Sequence, residues 1–111
     1  AYYKKGETDK AIANYTETIR RDPKSADAYL YRGNIYYEKG KFNEAIADWT
    51  EVIRLNPKYT NAYHNRSIAY AGKGMFKEAI ADGQIFLKLD PNHAGAEQMR
   101  EFIKEWESKL K

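Results

Sequence analysis

The 111-residue chain has no cysteine, three prolines and seven glycines. Without cysteine there is no disulfide scaffold, no thiolate zinc site and no cysteine nucleophile, while the redox compartment stays open. So little proline and glycine, beside 42% hydrophobic and 14% aromatic residues, excludes a disordered, collagen-like or low-complexity chain. No run reaches the roughly 18 apolar residues that a membrane helix needs, and mean hydropathy is −0.86, so membrane insertion is not expected. The opening Ala1-Tyr2-Tyr3-Lys4-Lys5-Gly6 lacks the apolar core of a signal peptide. An excess of one charge is missing too. The 19 basic and 16 acidic side chains are well mixed and leave +3, too even a balance to argue for nucleic acid or anionic lipid. The length suits one core rather than two.

What the chain has is a repeat. Glycines at Gly6, Gly40 and Gly74 and prolines at Pro23, Pro57 and Pro91 both step by 34, and the same step carries Ala11-Ile12-Ala13 onto Ala45-Ile46-Ala47 and Ala79-Ile80-Ala81. Within one unit, Ala28, Tyr29, Gly33, Tyr36 and Tyr37 recur at helical spacing. Gly40 then tolerates the left-handed conformation that ends a helix, and Lys39 suits the negative end of its dipole. Phe42, Ala45, Ile46, Trp49, Val52 and Ile53 continue the apolar stripe through a second helix, which Pro57 stops. The unit is thus a helical hairpin, with small residues (Ala28, Gly33, Ala45; Ala62, Ser67, Ala79) letting its helices approach closely.

No converging set of catalytic groups is legible. His64 and His93 are the only histidines, and His93 follows Pro91-Asn92, where it is expected to open the last helix. Glu44, Asp48, Glu78 and Asp82 pair at i, i+4, but they fall opposite the alanines and are expected to be solvated. There is no glycine-rich phosphate loop, metal-ligand spacing or nucleophile motif. No enzyme activity, cofactor or metal site is expected.

The pattern resembles the tetratricopeptide repeat. The second unit supplies Tyr29, Gly33, Tyr36, Gly40, Phe42, Ala45, Trp49 and Pro57; the third supplies Tyr63, Ser67, Tyr70, Gly74, Phe76, Ala79, Gly83 and Pro91. The first begins partway through, with Tyr2, Gly6, Thr8, Ala11, Tyr15 and Pro23. The resemblance implies an all-α fold, a right-handed α-solenoid of antiparallel helical hairpins. Its expected parts are a partial first repeat at 1–24, repeats at 25–58 and 59–92, and a capping helix at 93–111. Residues 1–5 are expected to be the last turn of a helix, leaving the N-terminal end of the array open. Gly83 stands where the other units have Tyr15 and Trp49, a gap that Phe102 or Trp106 of the capping helix is expected to fill.

Tyr2, Tyr15, Tyr29, Tyr36, Tyr63 and Tyr70 fall on positions that the family uses for packing, which speaks against a base-stacking platform and against nucleic acid as partner. Function is expected on the concave face lined by the first helices. There the resemblance places Tyr3, Asp27, Leu30, Asn34, Tyr37, Asn61, His64, Asn65, Ile68, Gln98 and Phe102. Amides beside small apolar spots suit an extended peptide or a partner's helix. A carboxylate clamp for acidic chaperone tails matches only at Asn34 and Asn65; Leu30, Gly95 and Met99 stand where cations are needed. Arg32 and Arg66 are expected to brace inter-repeat contacts or loop carbonyls. The resulting expectation is a non-catalytic protein-interaction module that binds a peptide, with homo-oligomerisation through the N-terminal face as the alternative.

Overall fold

Helices form where apolar residues recur at helical spacing. In the computed structural model, which describes residues 5–111, α1 (Lys5–Arg21), α2 (Ala26–Glu38), α3 (Phe42–Leu55), α4 (Thr60–Gly72), α5 (Phe76–Leu89) and α6 (Ala96–Lys109) follow one another, with no strand among the described residues. Ser25 opens α2, its Oγ accepting from the Ala28 N–H. Gly40 and Gly74 close α2 and α4 at φ 76°. There the Lys41 N–H reaches back to Tyr36 O, and the Met75 N–H to Tyr70 O, both at 2.9 Å, satisfying carbonyls the helix leaves open.

Gly6 behaves differently. It lies inside α1, without the positive φ of its two counterparts, so Lys5–Arg21 is one helix where the repeat suggested a turn. Glycine takes either sign of φ readily, and its helical form costs only about 1 kcal/mol against alanine. The repeat position therefore permits a turn without imposing one. Residues 1–4, including Tyr2 and Tyr3, lie outside the described residues.

The chain divides into two compact units, Ala1–Pro57 and Lys58–Lys111. In the first, α2 packs against both α1 and α3. Its centre is Trp49, 2% exposed, whose indole lies so close to Gly33 that a Cβ there would stand 2.7 Å from Nε1. Ala28, Leu30, Ile35, Ala45 and Val52 are buried with it. In the second unit, α4 and α6 both pack against α5, with Ala62, Tyr63, Ala69, Ala79, Phe86, Met99, Ile103 and Trp106 buried. The gap at Gly83 is filled by Met99 and Ile103: a Cβ at Gly83 would lie 2.8 Å from Met99 Sδ and 3.2 Å from Ile103 Cδ1. Phe102 and Trp106, expected in that role, instead stack on each other with centroids 5.5 Å apart. Met99, Phe102, Ile103 and Trp106 share one stripe of α6, so periodicity alone could not say which of them meets α5.

Candidate functional site

Each of the hairpins α2–α3 and α4–α5 ties its first helix to its second with one ion pair. Arg32 donates from Nε to Asp48 Oδ2 at 2.8 Å and from Nη2 to Asp48 Oδ1 at 2.7 Å. Arg66 repeats this on Asp82, at 2.7 Å in both bonds. Each guanidinium also lies within 6 Å of two tyrosine centroids, Tyr29 and Tyr36 around Arg32 and Tyr63 and Tyr70 around Arg66. Hydrogen bonding to Asp48 and Asp82 holds each guanidinium's proton more tightly than usual, and partial burial offsets only part of that. Asp48 and Asp82 are 5% and 3% exposed. The expectation that they are solvated is therefore corrected, although Glu44 and Glu78 are exposed. The carboxylates are buried because the bidentate fork compensates their lost hydration. Arg32 and Arg66 brace their own hairpins; Arg32 also donates to Thr16 Oγ1 of α1 at 3.1 Å.

The consequence for binding is direct. Arg32 is the only cation of α2, and Arg66 the only lysine or arginine of α4. Both are engaged by an internal carboxylate, which leaves neither first helix a cation for an outside anion.

In the first unit, Asp27 is exposed in the first turn of α2, while Leu30 is buried at 6% exposure and its side chain belongs to the core. Asn34 is half-buried, and its Oδ1 accepts from Trp49 Nε1 at 3.1 Å. Tyr37 is half-buried against the rings of Phe42 and Trp49, at 5.3 and 5.9 Å. Asn34 and Tyr37 therefore meet through Trp49. Tyr3 lies outside the described residues.

In the second unit, Asn61 is exposed and His64, Asn65 and Ile68 are half-buried on α4; Gln98 is exposed and Phe102 half-buried on α6. The His64 ring packs 5.0 Å from Phe86, with its Nδ1 3.4 Å from Asn65 Oδ1. His93 packs on Phe86 at the same distance, and its Nδ1 accepts the Gly95 N–H at 2.9 Å. A Cβ on Gly95 would stand 3.4 Å from His93 Nδ1 and 3.8 Å from His64 Nε2, so both histidines converge on the start of α6. Sequence reasoning missed this convergence because 29 residues separate the two histidines and only one lies on a repeat helix. Among the described residues, no three titratable side chains are arranged to hold a metal ion, and no helix is long and apolar enough to cross a membrane.

The tyrosines expected to pack do so in varying degree. Tyr63 is buried, while Tyr15, Tyr29, Tyr36 and Tyr70 are half-buried.

A family model described as TPR repeat matches residues 1–39 and 33–74. No curated protein matches the chain. Among similar solved structures is the first TPR of Spaghetti (RPAP3) bound to the HSP90 peptide SRMEEVD, 29% identical, with TM-score 0.86, covering 98% of this chain and 84% of that one. Another is the second TPR domain of human RPAP3 in complex with the HSP70 peptide SGPTIEEVD: 31% identity, TM-score 0.82, and 89% and 82% coverage. The Arabidopsis OM64 TPR domain is 28% identical at TM-score 0.83, over 90% of this chain and 83% of its own. With six helices among the described residues, a 34-residue step in its glycines and prolines, and these relatives, the chain is an all-α helical-repeat solenoid that belongs to the TPR family of protein-binding scaffolds.

Proposed function

We propose that the chain is a non-catalytic module that binds a peptide segment of a partner protein, with the α4 and α6 faces of the second unit as its main contact surface. The observation that supports this most is the character of those faces. Asn61 and Gln98 are exposed amides, and Ile68 and Phe102 are half-buried apolar side chains, on two helices that pack against the same α5. Amides can exchange hydrogen bonds with a peptide main chain, while partly covered apolar groups read its side chains. The relatives that hold peptides argue the same way. The peptides they hold end in Glu-Glu-Val-Asp, whereas here Arg32 and Arg66 are already closed on Asp48 and Asp82. Recognition of a partner by this chain is accordingly read as resting on amides and apolar contacts.

The test is selection from a displayed random peptide library, counter-selected against Asn61→Ala/Gln98→Ala. Both positions are exposed, so the variant should keep its fold. Asn34→Ala is a poorer choice because it also removes the shorter of the two hydrogen bonds of Trp49 Nε1, leaving only Leu30 O at 3.4 Å. Peptides that wild type keeps and the variant loses at least about tenfold support the reading; enrichment indifferent to the variant contradicts it.

A second reading, self-association through α1, has one observation in its favour. Tyr15 is half-buried and Thr18 exposed, where the corresponding Trp49, Val52 and Phe86 are buried. Light scattering of wild type beside Tyr15→Glu decides it: a dimer that the substitution dissolves supports it, and a monomer in both removes it.

A further inference from the structure

On its outer face, α5 departs from the two helices it repeats. Stepping by 34, Glu17 of α1 corresponds to Glu51 of α3 and to Ile85 of α5. In α1 and α3 this glutamate pairs one turn on, Glu17 with Arg20 and Glu51 with Arg54, each at 2.5 Å. In α5 the position holds Ile85, so the cation one turn on, Lys88, has no carboxylate there. Leu89, one turn beyond Ile85, corresponds to Arg21 and Leu55. Ile85 is 39% exposed and Leu89 36%. Ala81 and Lys77 extend the same four-residue step toward the start of the helix, and both are exposed. Lys77 replaces Asp9 and Asn43 of the earlier units. Among the described residues, neither Lys77 nor Lys88 has a side-chain hydrogen bond or ion pair.

One substitution thus does two things. Ile85 puts apolar surface at a position that is charged in the other two units, and it withdraws the acid that would have neutralised the neighbouring cation. Single exposed apolar residues need no explanation. A line of them on one helix face, flanked at both ends by unpaired lysines and set apart from both internal copies of the helix by Ile85 and Lys77, does.

We propose that the Lys77–Leu89 face of α5 is a second docking surface, and that it takes an acidic amphipathic helix. The complement to Ala81, Ile85 and Leu89 is a helix with apolar side chains at i, i+3 or i+4 spacing. The complement to Lys77 and Lys88 is Asp or Glu beside that stripe. This surface is distinct from the amide-bearing faces of α4 and α6 and stands whether or not those bind a peptide. Its binding weakens as salt rises, because the lysines are exposed and screened.

The decisive variant is Ile85→Glu, which restores the chain's own repeat residue and recreates an i, i+3 pair with Lys88, so it should fold as well as wild type. A displayed library of helical peptides is selected on wild type and counter-selected on Ile85→Glu; the best sequence is then titrated by fluorescence anisotropy. The proposal expects apolar residues at helical spacing, a net negative charge, and at least about tenfold weaker binding to Ile85→Glu. Leu89→Ala should weaken it less. Enriched peptides that are neutral or basic, or an affinity unchanged by Ile85→Glu, overturn the proposal, as does failure of any peptide to enrich. Co-sedimentation of wild type but not Ile85→Glu with anionic vesicles would assign the face to lipid instead. An oligomer dissolved by Ile85→Glu would assign it to a second copy.

Discussion

The hairpins α2–α3 and α4–α5 are built from the same parts and solve one packing problem in opposite ways. In the first, the gap is on the leading helix and the bulk on the second: Gly33 receives the indole of Trp49. In the second, Ser67 stands in place of Gly33 and Gly83 in place of Trp49, so the gap is on the second helix and the bulk comes from outside the hairpin, from Met99 and Ile103 of α6. A glycine that looks like a lost core residue is the seat of the last helix. What the two hairpins hold in common is the Arg–Asp pair, identical in geometry, which fixes how each leading helix rides on its partner.

The largest effect should come from erasing this difference. Gly83→Trp restores the repeat residue but fills the seat of α6. It should expose Met99, Ile103 and Trp106, at roughly 2 kcal/mol each, and limited proteolysis should then cut within Ala96–Lys109. A fold that tolerates the change with α6 still protected would refute the account of Gly83.

Next is the element the hairpins share. Asp82→Ala leaves Arg66 without its buried partner and should cost about 3–5 kcal/mol in chemical denaturation, with Asp48→Ala similar. Arg66→Met added to Asp82→Ala should recover much of the loss, since the penalty lies in the unpaired charge.

A finer contrast compares the two glycines with alanine. At Gly33 the new Cβ meets the rigid indole of Trp49 at 2.7 and 2.9 Å, and overpacking should outweigh the helix gain, leaving a loss of about 1–2 kcal/mol. At Gly83 the nearest atom is Met99 Sδ, at the flexible end of its side chain. Its displacement and the gain of about 1 kcal/mol in helix propensity should nearly cancel. Equal costs at both sites would erase the distinction drawn between them.

The smallest effect concerns the surface pairs that α1 and α3 carry and α5 lacks. Hydrogen bonds from Arg20 and Arg21 hold the Glu17 carboxyl below its ordinary value of 4.5. Its contribution is therefore present above that pH and lost as pH falls through the lowered folded value. Glu17→Gln should melt slightly below wild type at pH 7, and the difference should shrink as pH falls through the lowered value.

Much of this architecture was legible in the sequence. Gly40, Gly74, Pro57 and Pro91 marked the helix ends because each acts through local backbone chemistry. What stayed hidden depends on partners remote in sequence. Asp48 and Asp82 read as surface acids because they share a helix face with Glu44 and Glu78; their arginines lie sixteen residues upstream on an antiparallel helix. The constant Arg–Asp spacing in both units was the available clue. The filling of Gly83 by Met99 and Ile103 depends on the rotation of α6 about its axis, which a broad apolar stripe does not fix. Among the candidate site residues, Leu30 is buried and Asn34 accepts from Trp49 Nε1, because a position on an inward face says nothing of what the facing tryptophan requires.

The central claim is that the α4 and α6 faces of the second unit bind a peptide. Its most direct test is an NMR titration of the isotope-labelled chain with the best peptide recovered against Asn61→Ala/Gln98→Ala. The account predicts amide shifts concentrated at Asn61, His64, Asn65, Ile68, Gln98 and Phe102, all lost in the double variant. Shifts confined to α1, or an unchanged pattern in the double variant, would contradict it.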